Sequence, residues 1–423
     1  MKLERPDRIA DRFLFQPAPA WQLGALRLAF FGWLFLWYLL RDYTFVATYP
    51  AVFWTPIDLF RALGHAAQPP EALIIVLQIV WKLALLTAAL GLFTRVSVVV
   101  ALVLSAYILG LSHSFHKINH SDAALVLAML VFAFTRCADA VSIDALRKAA
   151  RNPTRDTRPA PSPAYHWPVR ALWILWVIVF VLSGISKLRN GGFGWMLSDN
   201  LSNIIVRNQT AWEPMLPFGI QLAEQGWLCK LFAVGTVVFE LFAFLVLFSK
   251  WFRLLIVPAL LSMQVGILLV MSDNFTQFFA LYLAFVPFAL LPMLRPWLAS
   301  RVQPIEVLYD GMCGLCGRTV AILRRLDLLG VLRFRDAVGE WTSIEADHPS
   351  LTQSACLADM HAITPGREPA IGFDAYRRIA WSLPAAWIIL PLLYAPGVRA
   401  VGTRVYRHVA ARRARAGCAL PTA

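Results

Sequence analysis

The sequence predicts a helical membrane bundle followed by a small α/β domain. Of its 423 residues, 59% are hydrophobic and only 15% are charged, whereas soluble domains carry roughly a quarter charged residues. The apolar residues form long runs that approach the roughly 20 residues needed to cross a bilayer. After residue 300 the composition becomes that of a soluble domain, which opens with a short strand and a Cys-x-x-Cys motif.

The apolar runs predict a transmembrane domain over residues 1–296 with about eight spans. These spans are predicted at 21–40, 71–92, 95–112, 122–136, 168–187, 228–249, 254–271 and 274–294. The first run is too long for a signal peptide and lacks a small-residue cleavage site, so it is expected to be an uncleaved span. The stretch 150–166 is rich in Pro and Arg, and predicts a cytoplasmic linker between two groups of four spans.

Lysine and arginine are distributed unequally between the two sets of loops. If the N-terminus is cytoplasmic, thirteen of these basic residues lie on the cytoplasmic side and five on the outer side. The inner set is Lys2, Arg5, Arg8, Arg12, Arg95, Arg136, Arg147, Lys148, Arg151, Arg155, Arg158, Lys250 and Arg253; the outer set is Arg41, Arg61, Lys117, Arg189 and Arg207. The positive-inside rule therefore predicts a multi-pass protein of the cytoplasmic membrane with both termini in the cytoplasm.

The net charge of +14 has the same explanation, since basic loops lie beside anionic lipid. The lipid bilayer is thus the expected partner. Nucleic-acid binding is not expected, because no basic patch lies on a recognition helix or an aromatic sheet.

Several ionisable residues fall inside the predicted spans, where they are costly and usually face the bundle interior. These are Arg27, Lys82, Lys187 and Glu240, with Gln78 and Gln264 as uncharged companions. Lys82 and Glu240 are one candidate pair. Internal pairing or snorkelling to the interface is the alternative to a functional role for each of them.

A second group of polar residues is predicted at the outer face. His113, His116 and His120 cluster at the mouth of the third and fourth spans, and Lys187 ends the fifth. A desolvated lysine becomes a better base, and an imidazole can transfer a proton or hold an oxyanion. A polar loop and a snorkelling lysine are the alternatives.

Two segments of this region, HKINHSDAALVLAMLVFAFTRCADAVSIDAL and GISKLRNGGFGW, resemble the transmembrane domain of vitamin K-dependent gamma-carboxylase and its bacterial relatives, the HTTM family. The residues at the family's motif positions are Asn119, His120, Ser121, Asp144, Gly184, Lys187, Leu188 and Trp195. The resemblance implies that Lys187 deprotonates a vitamin K-like hydroquinone and that His120 assists the carbanion step. The eukaryotic enzyme's large lumenal region is replaced here by a different domain.

The C-terminal domain, residues 301–423, opens with a strand at Ile305 to Tyr309, a turn at Asp310 and Gly311, and then Cys313 and Cys316 at the start of a helix. This is the thioredoxin-type arrangement. The N–H groups and dipole of a helix N-terminus stabilise a thiolate, so Cys313 is the predicted nucleophile and Cys316 the resolving thiol. Arg318 in the first turns adds positive potential.

A second strand at 331–335, a hairpin over 359–364 and 369–372, and helices near 373–381, 385–394 and 397–413 complete the predicted domain. The segments DGMCGLC, GFDAYRRIAWSLP and PGVRAVGTRVYRHVAARRAR resemble the DCC family of thiol-disulfide oxidoreductases. The proline that precedes the third strand in thioredoxin is missing, which puts the usual substrate-peptide clamp in doubt.

The CxxC motif has two other interpretations. A zinc knuckle would use Cys313, Cys316, Cys356 and His361, but the second half is Cys-x4-His with no second CxxC, so no metal is expected. An inert structural motif is the other alternative, since cytosolic thiols stay reduced. Cys356 and Cys418 are expected to be ordinary cytosolic thiols, and Cys137 and Cys229 lie near the ends of predicted spans with no partner in view.

Three functions follow as hypotheses. The first is a membrane redox enzyme that takes electrons from a cytoplasmic thiol donor, such as a thioredoxin-like protein or a small thiol, with quinone as a possible cofactor of the membrane domain. The second is a carboxylase-like, base-catalysed modifying enzyme at the outer face. The third is a transporter or scaffold in which Arg27, Lys82 and Glu240 form a path. The sequence does not predict the oligomeric state.

Overall fold

The structure, a computed structural model, describes residues 11–64, 67–115, 120–211, 216–271 and 275–415. The chain forms two compact units. The membrane unit contains the described residues of 11–142 and 159–288. The C-terminal unit contains residues 143–158 and 289–415, so it takes one segment from the middle of the membrane domain's sequence.

The membrane unit has six described helices that are long and apolar enough to cross a bilayer, which confirms the predicted membrane bundle. They are Ala20–Leu39, Glu71–Leu90, Thr94–His113, Pro163–Gly191, Gly226–Leu247 and Lys250–Met271. Shorter helices at Phe45–Thr48, Asp58–Ala62, Gly194–Leu197, Asn200–Ala211 and Gly219–Glu224 connect them.

The fourth and eighth predicted spans differ from the prediction. The fourth is a helix of 14 residues, His120–Ala133. The eighth, predicted as continuous over 274–294, breaks into short pieces: Thr276–Phe278, Phe279–Tyr282, Leu283–Phe285, Phe288–Leu290 and Leu291–Ala299. Pro287 explains the main break, because it has no N–H to donate and pushes the preceding Val286 into an extended conformation with ψ of 123°.

Arg27 is fully buried in the membrane unit and binds backbone carbonyl groups. Its guanidinium donates to the carbonyl oxygens of Cys137 and Ala89, both at 3.2 Å, and of Val141 at 2.5 Å. These carbonyls lie at and beyond the ends of two other helices, where no intrahelical donor is available. Arg27 therefore joins three segments of the bundle, which is a structural role.

Gly91 makes room for this arginine. It has φ of +68°, and a Cβ built on it would lie 2.2 Å from Nη1 of Arg27. We expect Gly91→Ala to lower the free energy of unfolding by about 2 to 5 kcal/mol, from overpacking and from the left-handed backbone together. Denaturant unfolding in detergent micelles measures this. Gly32→Ala is the control, because a Cβ at Gly32 would have no neighbour within 4 Å. This variant should be neutral or slightly stabilising. An equal loss of stability in both variants would contradict the packing role of Gly91.

The C-terminal unit is built on a four-stranded sheet in the order β2-β1-β3-β4. The strands are β1 (Ile305–Tyr309), β2 (Leu332–Asp336), β3 (His361–Ile363) and β4 (Ala370–Ile371). β1 runs parallel to β2 and antiparallel to β3, and β3 and β4 form an antiparallel hairpin. A parallel pair joined through a helix and followed by a hairpin is the thioredoxin-like topology, as predicted.

Helices cover both faces of this sheet. The CxxC helix (Gly314–Leu326) and the helix Phe373–Ser382 pack on one face, where Leu323 and Ile379 join Val307 in the core. The other face is covered by Trp341–Asp347 and Gln353–Ala358 through Ile344 and Cys356. Two further elements follow, Pro384–Ile389 with Leu390–Leu393, and the C-terminal helix Val398–Arg415.

A segment from the membrane domain's sequence completes the C-terminal unit. The loop helix (Ile143–Arg151) packs against the CxxC helix and buries Ala145 and Ala149. The chain then follows that helix: Arg325 donates to Oγ1 of Thr157 at 2.5 Å, and Arg158 donates to the carbonyl oxygen of Arg324 at 2.9 Å. The predicted linker over 150–166 is thus divided, since its first part packs in this unit and residues from Pro163 onward begin the next span.

Candidate functional site

The two motif cysteines lie where β1 passes into the CxxC helix. Cys313 is the N-cap residue, and the helix begins at Gly314. The N–H of Gly317 donates to the carbonyl oxygen of Cys313 at 3.0 Å. The thiol of Cys313 is therefore attached to the residue that caps the helix, where unpaired N–H groups and the helix dipole favour a thiolate.

The turn before Cys313 is fixed by two carboxylates. Asp310, a predicted supporting residue, accepts from the N–H of Met312 at 3.0 Å. Asp336, at the end of β2, accepts from the N–H of Gly311 at 2.9 Å. A Cβ on Gly311 would come within 2.1 Å of the Asp336 carboxylate, so any larger residue would have to displace this carboxylate. Sequence reasoning found Asp310 but missed Asp336, which is near only through the parallel pairing of β1 and β2.

Both cysteines are buried, although their neighbours are not. Cys313 is 1% exposed and Cys316 is 6% exposed, whereas Met312 is 79% exposed. Arg318, the predicted source of positive potential, has an exposed side chain in the first turns of the helix. A substrate disulfide can reach the sulfur atoms only if a side chain moves or if it enters through a neighbouring cavity.

Such a cavity borders Cys316. It measures about 380 Å³ and lies between the CxxC helix, Met360 and the C-terminal helix. Its walls are mainly apolar, with Leu315, Phe373 and Val405 among them. The hydroxyl of Tyr406, on the C-terminal helix, accepts from the N–H of Met360 at 3.1 Å and so links that helix to the residue before β3. A mainly apolar group of modest size fits this cavity.

The remaining candidate ligands of the zinc alternative do not join the CxxC pair. Cys356 packs on the face of the sheet opposite Leu323 of the CxxC helix, and burial raises the pKa of its thiol. His361 is buried in β3, and its Nδ1 lies 2.8 Å from the carbonyl oxygen of Asp359. Cys356 is thus a core residue. Cys418 lies outside the described residues.

In the membrane unit, Lys187 and Glu240 form an ion pair. Nζ of Lys187 lies 2.7 Å from both carboxylate oxygens of Glu240 and 2.8 Å from Oγ of Ser183. Nζ also lies 5.3 Å from the ring centroid of Trp195. Gly184 lets the two helices approach, since a Cβ there would lie 3.1 Å from Cβ of Glu240. The proposed pairing of Lys82 with Glu240 was wrong: Lys82 donates to the carbonyl oxygen of Arg41 at 2.6 Å.

This ion pair is chemically capable of proton transfer. The ammonium group is held by the carboxylate of Glu240 on a neighbouring span and by a hydroxyl on its own helix. A shift of one proton to Glu240 gives a neutral amine beside a neutral acid. Glu240 is 3% and Lys187 21% exposed, which leaves Lys187 as the accessible member. Ser183 was missed in the sequence, although its spacing of four residues from Lys187 puts both on one helix face.

Two comparisons with known families identify the domains. Residues 15–285, well over half of the chain, match the family model described as the HTTM domain. This chain belongs to the HTTM family. Residues 307–419 match the model of the DCC1-like thiol-disulfide oxidoreductase. The chain therefore joins an HTTM domain to a DCC1-like domain, and it is a multi-pass membrane protein with a thiol-disulfide oxidoreductase domain.

One curated relative is similar over part of the chain. An uncharacterized chloroplastic protein of Arabidopsis thaliana is 31% identical over 104 residues, which are 23% of this chain and 48% of that protein. The chain thus spans about half the length of this relative. No solved structure matches the chain.

The motif residues of the HTTM domain are only partly brought together. Asn119 and His116 lie outside the described residues, and of His120 only the backbone is described, at the start of the helix His120–Ala133. Ser121 accepts a hydrogen bond from Nε2 of Gln277 at 3.1 Å. Asp144 belongs to the loop helix in the C-terminal unit.

His113, the first of the predicted histidine cluster, has an acidic partner. Its Nε2 lies 3.2 Å from Oδ2 of Asp122, and both side chains are largely buried. Asp122 was not among the predicted site residues. The motif HSD, which places it two residues after His120, was the available signal.

Proposed function

We propose that this chain is a membrane-bound thiol-disulfide oxidoreductase whose reactive pair, Cys313 and Cys316, works in the cytoplasm. The observation that carries the proposal is the position of Cys313 at the cap of a helix that follows β1 of a thioredoxin-like sheet. The match of this segment to an oxidoreductase family supports it.

The reaction proceeds in two exchanges. The Cys313 thiolate attacks one sulfur of a partner's disulfide, and the partner's other sulfur leaves as a thiolate and takes a proton. Cys316, once deprotonated, attacks Sγ of Cys313, which releases the partner's second thiol and leaves a Cys313–Cys316 disulfide. A cytoplasmic thiol donor, either a thioredoxin-like protein or a small thiol, supplies two electrons and two protons to restore the dithiol.

The discontinuous C-terminal unit supports the cytoplasmic location. The loop helix and residues 152–158 carry many of the basic residues that the positive-inside rule assigns to the cytoplasm, and they pack on the CxxC helix. Residues on both sides of the 159–288 segment share one unit, so this segment must cross the bilayer an even number of times. Three long helices lie in this segment, and the shorter apolar segment Thr276–Phe285 would supply the fourth crossing.

Sealed membrane vesicles test location and activity together. Inside-out vesicles containing the full chain should reduce a membrane-impermeant fluorescent disulfide at the expense of glutathione, and sealed right-side-out vesicles should not do so until they are permeabilised. Activity only in right-side-out vesicles would reverse the orientation. If neither vesicle preparation reduced the disulfide, even after permeabilisation, the proposed redox function would be ruled out.

A second function is favoured by the ion pair of Lys187 with Glu240: base-catalysed chemistry on a hydroquinone in the HTTM domain. Lys187 lies at a motif position of that domain and beside an acid that can take its proton. A quinone in the lipid extract of the purified protein would support this proposal. Lys187→Ala should then abolish quinol-dependent modification, and an unchanged product profile would rule the chemistry out.

A further inference from the structure

A second cavity in the C-terminal unit is strongly basic. It measures about 1250 Å³ and lies at the opposite end of β1 from the cysteines, since Ile305 rather than Tyr309 lines it. Five arginines line it together with one acidic residue. They are Arg301, Arg367, Arg377, Arg378 and Arg399, with Asp374.

Only part of this positive charge is compensated within the unit. Asp374 binds Arg377 at 2.9 Å and Arg399 at 2.7 Å, and although burial opposes it, these bonds lower the pKa of Asp374 and keep it ionised. Arg378 donates to the carbonyl oxygens of Ala362 and Glu368, which carry no net charge. Arg301 and Arg367 make no ion pair with any described residue. The cavity therefore presents an excess of guanidinium groups.

A buried hydroxyl in the same cavity also lacks a partner. Thr364 is 5% exposed and lines the cavity, and its Oγ1 makes no hydrogen bond within the described part of the chain. Buried polar atoms are almost always paired. A hydroxyl beside guanidinium groups suits the oxygens of a phosphate, which arginine binds in a bidentate manner.

The surface beside the cavity is apolar and exposed. Trp381 and Tyr394 line the cavity, and the segment between them exposes Trp387, Ile388 at 87% and Leu392 at 66%. Tryptophan and tyrosine are enriched at the membrane interface, and exposed aliphatic side chains beside basic groups are typical of surfaces that lie in it. A soluble anion would gain nothing from these side chains, whereas a phospholipid would contact both parts.

The segment that leads from the membrane domain's sequence into this cavity is also apolar and exposed. The helix Leu291–Ala299 follows the last apolar segment, exposes Met293, Leu294 and Trp297, and ends two residues before Arg301. The guanidinium of Arg301 stacks on Trp297, with Cζ 4.2 Å from the ring centroid. Arg301 thus continues this exposed apolar surface into the cavity.

We propose that this cavity binds the phosphate headgroup of an anionic phospholipid, while Trp387, Ile388 and Leu392 insert into the bilayer beside it. The occupant is a lipid of the membrane that the chain itself spans. The site would hold the redox unit against the bilayer at the end of the sheet away from Cys313. This inference is independent of the proposed redox function.

Hydrogen exchange of the full chain in lipid nanodiscs tests the proposal. Residues 381–394 should exchange more slowly in nanodiscs of equal parts phosphatidylcholine and phosphatidylglycerol than in phosphatidylcholine alone. The same exchange in both would overturn the proposal. Protection by inorganic phosphate in phosphatidylcholine nanodiscs, equal to that by phosphatidylglycerol, would also overturn it, because the site would then accept a soluble anion.

Matched arginine variants locate the effect. Arg301→Gln and Arg367→Gln break no ion pair among described residues, so both should fold. Each should weaken phosphatidylglycerol binding, measured by native mass spectrometry of the full chain, by about fivefold, since a basic residue near an anionic surface contributes about 1 kcal/mol. Arg333→Gln, at an exposed position of β2 and outside the cavity, should have no effect. Equal losses in all three variants would contradict a specific site.

Discussion

Replacing Cys313 by serine should reduce thiol-disulfide exchange by the purified chain to the uncatalysed rate. A serine hydroxyl cannot attack a disulfide at neutral pH, and no other described cysteine is attached to the N-terminus of the CxxC helix except Cys316, one turn on. The measurement is the rate at which detergent-solubilised protein reduces a fluorescent glutathione disulfide.

Cys316→Ser should behave differently, because the first exchange remains possible and the second does not. The product is a mixed disulfide between Cys313 and the partner, which should appear as a stable adduct on a non-reducing gel and in the intact mass. Cys356→Ala is the control: this residue lies on the other face of the sheet, so exchange should persist. An adduct on Cys316 in a Cys313→Ser protein would instead make Cys316 the nucleophile, consistent with its place beside the cavity.

Breaking the ion pair of Lys187 and Glu240 should cost about 3 kcal/mol of stability. This is the lower end of the range for buried pairs, chosen because Lys187 is partly exposed. Both Glu240→Leu and Lys187→Met leave one charge without its partner among apolar side chains. The double variant removes both charges, so it should recover most of the loss.

Denaturant unfolding of the single and double variants in detergent gives the coupling energy. Lys82→Met is the matched control, since Lys82 donates to a backbone carbonyl group and not to a carboxylate. We expect its stability to change by less than about 1 kcal/mol. Additive losses in the double variant would show that the two charges are stabilised by other groups.

The features that the sequence predicted well depend on local pattern. Long apolar runs identify spans because only helices satisfy backbone polar groups in lipid. The short apolar strand Ile305–Tyr309, the turn at Asp310 and the helix that begins at Gly314 are likewise set by near neighbours. The hairpin of β3 and β4 follows from its turn at Gly366, which has φ of +72°.

The features that the sequence did not predict join residues that are distant in the chain. Glu240 pairs with Lys187 rather than with Lys82, because Gly184 allows the helices Pro163–Gly191 and Gly226–Leu247 to approach closely. Asp336 reaches Gly311 only through strand pairing. The segment IDALRKAAR has an amphipathic pattern. That pattern does not identify the CxxC helix as the surface that covers Ala145 and Ala149.

The shared C-terminal unit has a consequence for biogenesis. The loop helix leaves the ribosome long before β1, and three helices long enough to cross a bilayer lie between them in the sequence. In a chain that missed one crossing, the loop helix and the CxxC helix would lie on opposite sides of the membrane and could not pack together. Packing of the loop helix on the CxxC helix, which buries Ala145 and Ala149, therefore requires correct insertion of the segment between them.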